Sequence, residues 1–136
     1  MRLQLMRPNR ADIHSQFLLL RPAFDRVQNA KTEFEFCCDA VKNKHASLYH
    51  LKSKGVSVRF VGMVTPENDY LILAMTGRGL THAAPTIIEA VKSQGYRSIK
   101  YHTVRQGMTR ILQRFGFSIL DTTTHDTVLS LSLEGS

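Results

Sequence analysis

The chain has no tryptophan, two cysteines and four prolines in 136 residues, and none of its apolar runs is long. Each scarcity excludes something. Runs such as residues 17–20 and 71–75 fall far short of the ~20 apolar residues a membrane helix needs, so no membrane association is expected. The opening Met1-Arg2-Leu3-Gln4-Leu5-Met6-Arg7-Pro8 lacks the roughly 7 to 15 apolar residues of a signal-peptide core, which points to the cytoplasm. Cys37 and Cys38 are sequence neighbours that cannot readily close a disulfide, and no Cys/His ligand spacing accompanies them. They are expected as core thiols in a reducing compartment, and no metal is expected. The prolines and eight glycines are scattered, 21% of the chain is charged and 43% is apolar. That balance excludes disorder as the main state and predicts one domain over residues 1–136, with a substantial core.

Acidic residues are also few: 11 against 18 Lys plus Arg, a formal net charge of +7. Such a surface attracts anions, either nucleic acid or a phosphorylated small molecule. The cations occur as singles and pairs, for instance Lys42 and Lys44, Lys52 and Lys54, Arg97 and Lys100, without a basic block. Nucleic acid is therefore the less expected partner, and its hallmark would be a steep salt dependence of binding.

Along the chain, Leu3 and Leu5 suggest a short strand stopped by Pro8, followed by a helix carrying Ile13, Phe17 and Leu20, with Asn9 or Asp12 as its cap. Pro22 is expected to end that helix, with a second over about residues 23–27 and a third amphipathic stretch over 34–41. From Ala46 the period changes to two. Leu48 and His50, then Val56, Val58, Phe60 and Gly62, alternate with their neighbours about the turn chemistry of residues 52–55, which predicts a β-hairpin. A second turn at residues 66–69 precedes Tyr70-Leu71-Ile72-Leu73-Ala74-Met75, an apolar strand expected to be buried on both faces.

The most informative segment follows. Thr76-Gly77-Arg78-Gly79-Leu80-Thr81 leads into a helical pattern with Leu80, Ala84, Ile87, Ile88 and Val91 on one face, ending at Gln94-Gly95. Strand, glycine turn and helix together form an anion-binding arrangement, because amides of the first helical turn have no helical partner. Residues 97–103 read as a strand, and a helical crossover between two strands makes them parallel. Residues 104–115 form a second clear helix with Met108, Ile111, Leu112 and Phe115 on one face and Gly116 as its cap. Residues 117–120 and 127–133 close the chain as an antiparallel pair around residues 122–126.

This order of elements, with its glycine turn and terminal Gly116-Phe117, resembles the GNAT superfamily of acyl-CoA-dependent N-acetyltransferases over nearly the whole chain. The resemblance implies an α/β (α+β) fold: a mixed, mainly antiparallel sheet with helices on both faces and strands four and five parallel. The family's turn is commonly R-G-x-G-I-G. Here Gly79 and Leu80 fit, while Thr76 and Thr81 replace the first Arg and last Gly.

From the resemblance, acetyl-CoA is the expected co-substrate, its diphosphate on Arg78, Gly79, Leu80, Thr81 and His82, and its oxyanion held by backbone N–H groups of Leu73, Ala74 and Met75. Arg105, at the start of the last helix, is expected to touch CoA. His102, at the end of strand five, is the first candidate base for the amine, with Glu67 and Asp69 behind it. The family's general-acid Tyr position is Leu112, which has no proton to give. Tyr101 would serve if its strand register turned it toward the cleft, although packing against a helix is its commoner role.

The expected function is transfer of an acetyl group from acetyl-CoA to an amine, small-molecule or protein. The alternative is a catalytically inactive GNAT-fold binding or structural protein, as in small phage and viral proteins of this fold. The acceptor is expected to be chosen by residues 9–45, and a homodimer could form through the edge left by the terminal strands.

Overall fold

The computed structural model describes residues 1–123 and 126–134. Seven strands, β1 (Arg2–Met6), β2 (Ser47–Ser53), β3 (Val56–Val64), β4 (Asp69–Arg78), β5 (Ser98–Thr103), β6 (Ser118–Thr122) and β7 (Thr127–Ser132), form one sheet. Its order is β1-β2-β3-β4-β5-β7-β6, so β1 and β6 are its edges. Every pairing is antiparallel except β4 with β5, where the intervening helix carries the chain back. This is the mixed, mainly antiparallel sheet that the GNAT resemblance implies.

Helices cover both faces. On one, α1 (Ile13–Leu18), a 3₁₀ turn (Arg21–Phe24) and α2 (Ala30–Lys42) pack Phe17, Leu20, Phe24 and Val41 against Leu48, Val61 and Ala74. On the other, α3 (Leu80–Ser93) and α4 (Gln106–Arg114) pack Ile87, Val91 and Leu112 against Val58, Ile72, Ile99 and Leu129. Each large side chain so buried contributes roughly 1.5–3 kcal/mol. Cys37 and Cys38 are free and buried on α2, where desolvation pushes the Cys37 thiol up to about 12, leaving it inert at neutral pH.

The least periodic third of the sequence departs most from expectation. Residues 23–27 are not a helix; Pro22 instead opens a 3₁₀ turn, which a missing N–H and fixed φ favour at its start. The third stretch extends to Ala30–Lys42, and Asp12 does not cap α1, because its carboxylate is engaged by the Arg10 guanidinium and the Gln16 amide. α3 begins at Leu80. Pro85 therefore falls in its second turn and removes the bond to the Thr81 carbonyl. No helix of the described residues is long and apolar enough to cross a membrane.

Two features of β4 position the site. Val61 pairs with Ala74 and Gly62 with Ile72, so Leu73 is an extra residue, a bulge without a partner in β3. The parallel pairing with β5 ends at Ile72↔Tyr101. Beyond that rung the two strands separate, and a cleft opens between their C-terminal ends.

Candidate active site

The cleft has a volume of about 450 Å³. Its floor is β4 from Leu71 to Met75 and the end of β5, including Tyr101, His102 and Thr103; Phe24 and Val27 roof it, and Arg105 lies at its mouth. Leu73, Ala74 and Met75, the residues expected to offer N–H groups to an oxyanion, thus line the cleft beyond the last β5 partner. His102 also lines it and is exposed, on the opposite side of β5 from Tyr101 because successive strand residues alternate faces.

Arg78, Gly79, Leu80, Thr81 and His82 lie further along β4 and on the first turn of α3. Gly79 adopts a left-handed conformation, φ +79°, as the N-cap, and its carbonyl accepts from the N–H groups of His82 and Ala83. The N–H groups of Leu80 and Thr81 precede the first helical bond and are available to an anion, and Arg78, Thr81 and His82 are exposed beside them. The glycines also have a structural reason. A Cβ at Gly79 would meet the Gly55 carbonyl oxygen at 2.8 Å, and one at Gly77 would meet that of Ser57 at 2.0 Å. The β2–β3 turn packs directly on this segment.

Other expected residues lie elsewhere. Glu67 lies before β4 and Asp69 at its start, and neither is among the residues that line the cleft, which begins two residues on at Leu71. Asp69 is 1% exposed and accepts from the Arg97 guanidinium (3.2 and 3.1 Å) and the Ser98 hydroxyl (2.6 Å), with the Lys100 ammonium at 3.0 Å. These bonds, Arg97 first, hold its carboxyl well below the usual range, the opposite of what a base needs. Arg105 reaches the cleft, but its guanidinium donates to the Pro22 carbonyl and ties α4 to the 3₁₀ turn above. It is engaged with the roof, away from the α3 turn.

The structure adds residues that the sequence reading missed. Gln28, Glu33, Thr123 and Asp126 line the same cleft, from the approach to α2, its first turn and the β6–β7 loop. Glu33 lies one position before the amphipathic stretch that the sequence marks, and Asp126 ends a loop legible only as a turn. Neither carries a local signal for a site. Leu112 is buried in the core, where no proton can come from it. Among the described residues no cluster of His, Cys, Asp and Glu could hold a metal, and His125 lies outside them.

The architecture can be matched to solved structures. Tetrahymena GCN5 superposes with a TM-score of 0.70 at 10% identity, over 100% of this chain and 98% of that one. The fold is that of the GNAT acetyltransferases. An aminoglycoside 6'-acetyltransferase type Ii gives a TM-score of 0.68 at 12% identity, covering 100% and 99% of the two chains. A Bacillus subtilis acetyltransferase in complex with CoA gives 0.67 at 14%, covering 96% and 97%. No protein-family model and no curated protein matches the sequence. The GNAT likeness is carried by backbone topology, with little sequence left in common.

Proposed function

We propose that this chain is an N-acetyltransferase that moves an acetyl group from acetyl-CoA to an amine. The observation that carries the reading is the cleft itself: a free edge of β4 from Leu73 onward, a histidine on the facing strand, and a helix N-terminus with exposed Arg78 further along β4. A thioester laid along that edge would find N–H donors for its carbonyl at residues 73–75. Its diphosphate would meet the N–H groups of Leu80 and Thr81, with Arg78, Thr81 and His82 beside them. The CoA carried by a structural neighbour supports this choice of donor.

Binding both partners in one cleft makes the attack effectively unimolecular. The unprotonated amine attacks the carbonyl carbon, and the His102 imidazole takes the proton that its nitrogen must shed. Glu33 and Asp126 border the acceptor side and would favour an amine arriving as a cation. Arg105, fixed to Pro22, keeps the roof in register above β5. The exposed β6 edge, with Ile119 and Leu120, is where a second copy would pair, in the cytoplasm as elsewhere.

Calorimetric titration of acetyl-CoA and CoA tests the donor, and amine-dependent release of CoA thiol tests the reaction. Micromolar binding that Arg78→Glu weakens is expected. Absence of binding at millimolar ligand would reject the reading in favour of a GNAT-fold binding protein, which the Leu112 side chain by itself would suit.

A further inference from the structure

Cations that are scattered along the sequence are gathered by strand register. Arg2 pairs with Lys52, Lys52 with Ser57 and Ser57 with Arg78, so one rung across β1–β4 carries three cations side by side about a hydroxyl. The adjoining rung carries His50 opposite Arg59. Strand alternation puts both rungs on the face that holds Met6, Leu48, Val61 and Ala74, the side of α1 and α2. There Arg59 Nε donates to the Gln16 side chain of α1 at 3.1 Å, while Arg2, Lys52 and Arg78 are exposed. Among the described residues none of these four cations forms an ion pair; Asp12, which accepts from the Gln16 amide, is held by Arg10 at 2.8 Å. The His50 ring lies 2.9 Å from the Ser57 hydroxyl, and burial first, then the Arg59 and Lys52 charges, push the imidazole below its ordinary range, which shows how closely those cations converge. Like charges directly opposite one another, as Arg2 and Lys52 are, oppose strand pairing. A sheet that keeps them unneutralised at its β1 edge points to a partner that supplies the anions.

We propose that this face docks an acidic segment of a polypeptide acceptor whose amine enters the neighbouring cleft. The proposal rests on the acetyltransferase reading and narrows its acceptor from any amine to that of a polypeptide with carboxylates nearby. Both surfaces lie on one side of the sheet, since Phe24 and Val27, which roof the cleft, pack on the same face as the two rungs. Along β4, Arg78 lies about 13 Å beyond Ala74, a distance that an extended chain spans in about four residues. A polypeptide meets each surface with the opposite charge. Its ammonium group faces Glu33 and Asp126 in the cleft, and its carboxylates face Arg2, Lys52 and Arg59, where a guanidinium can take a carboxylate bidentately. A nucleic acid would match the cations alone. It brings no aliphatic amine, and the two rungs hold no Phe, Tyr or Trp on which a base could stack.

The test uses the full chain and two synthetic peptides with a single lysine, one carrying a run of glutamates that begins about four residues from it, the other glutamines in their place. KM for the acidic peptide is expected to be about tenfold lower, with the gap closing at about 0.5 M salt and kcat within about twofold. Arg2→Gln combined with Lys52→Gln, at two exposed positions away from the cleft, should raise KM for the acidic peptide about fivefold. It should leave KM for the neutral peptide and for acetyl-CoA unchanged and should not lower the thermal melt. A readout apart from catalysis is fluorescence anisotropy of a lysine-free glutamate peptide without acetyl-CoA, whose binding should weaken about fivefold in the double variant. Equal KM for the two peptides, or glutamate-peptide binding that the double variant leaves unchanged, would overturn the proposal. A single-stranded oligonucleotide of equal charge that binds more tightly than the glutamate peptide through Arg2 and Lys52 would overturn it too, giving the face to nucleic acid. Failure of the parent protein to bind acetyl-CoA would instead overturn the acetyltransferase reading, while glutamate-peptide binding would persist.

Discussion

The two ends of the β4–β5 pair are built on opposite principles. At the start of β4, Asp69 is enclosed and fastened to Arg97, Ser98 and Lys100 of β5 and its approach, so the strands are locked by charge. At the other end the Leu73 bulge and the last rung at Tyr101 let them part, and the polar groups there face a cavity. The open end requires the closed one, because a parallel pair of only four rungs must be fixed somewhere if it is to diverge reproducibly elsewhere. One acidic residue thus fixes the closed end while the far end stays open.

Breaking the closed end should have the largest effect. Asp69→Ala leaves Arg97 and Lys100 facing a void and should destabilise the fold by about 3–5 kcal/mol, measured by denaturant unfolding. The depressed carboxyl pKa adds a pH signature. Its stabilisation is present above the unfolded-state value of about 4 and is lost as pH falls below it, and Asp69→Asn should flatten that acid limb.

Changing the open end should do the reverse. His102→Gln is expected to lower kcat about 10²-fold while moving stability by less than about 0.5 kcal/mol, read from turnover and thermal melts. A stability loss like that of Asp69→Ala would erase the contrast between the two ends.

Gly79 sharpens the comparison because it belongs to both categories. Gly79→Ala forces a Cβ toward the Gly55 carbonyl at a positive φ and should cost about 1–3 kcal/mol in unfolding experiments. Loss of CoA binding in a Gly79 variant therefore reports packing as well as the phosphate site. Arg78→Glu is the cleaner probe and the smallest effect: weakening of CoA binding by about two- to fivefold, more at low ionic strength, with an unchanged melt.

The part of the site built from strands was legible in the sequence, because period-two alternation and the glycine turn fix both register and order. His102 and residues 73–75, which the GNAT resemblance singled out, line the cleft that this register builds. Glu67 and Asp69, expected as bases but absent from the cleft lining, show where it stops. Their distance from the cleft depends on which end of β4 diverges, and the bulge that decides this is one unpaired residue in an apolar run, invisible to periodicity. Residues 9–45 were poorly legible for a related reason: short helices joined by a 3₁₀ turn have too few turns to establish a period, and packing against the sheet sets their bounds.

By itself the sequence determined the element order, the parallel crossover, the core faces of α3 and α4 and the positive charge, since each follows from local spacing or composition. Tertiary structure alone decided that Asp69 is a fastener, that Arg105 is tied to the Pro22 carbonyl, and that Glu33 and Asp126 line one cleft. The reason is physical. Residues far apart in sequence acquire a shared dielectric and shared partners only when the chain is closed, and a carboxylate takes its chemistry from those partners.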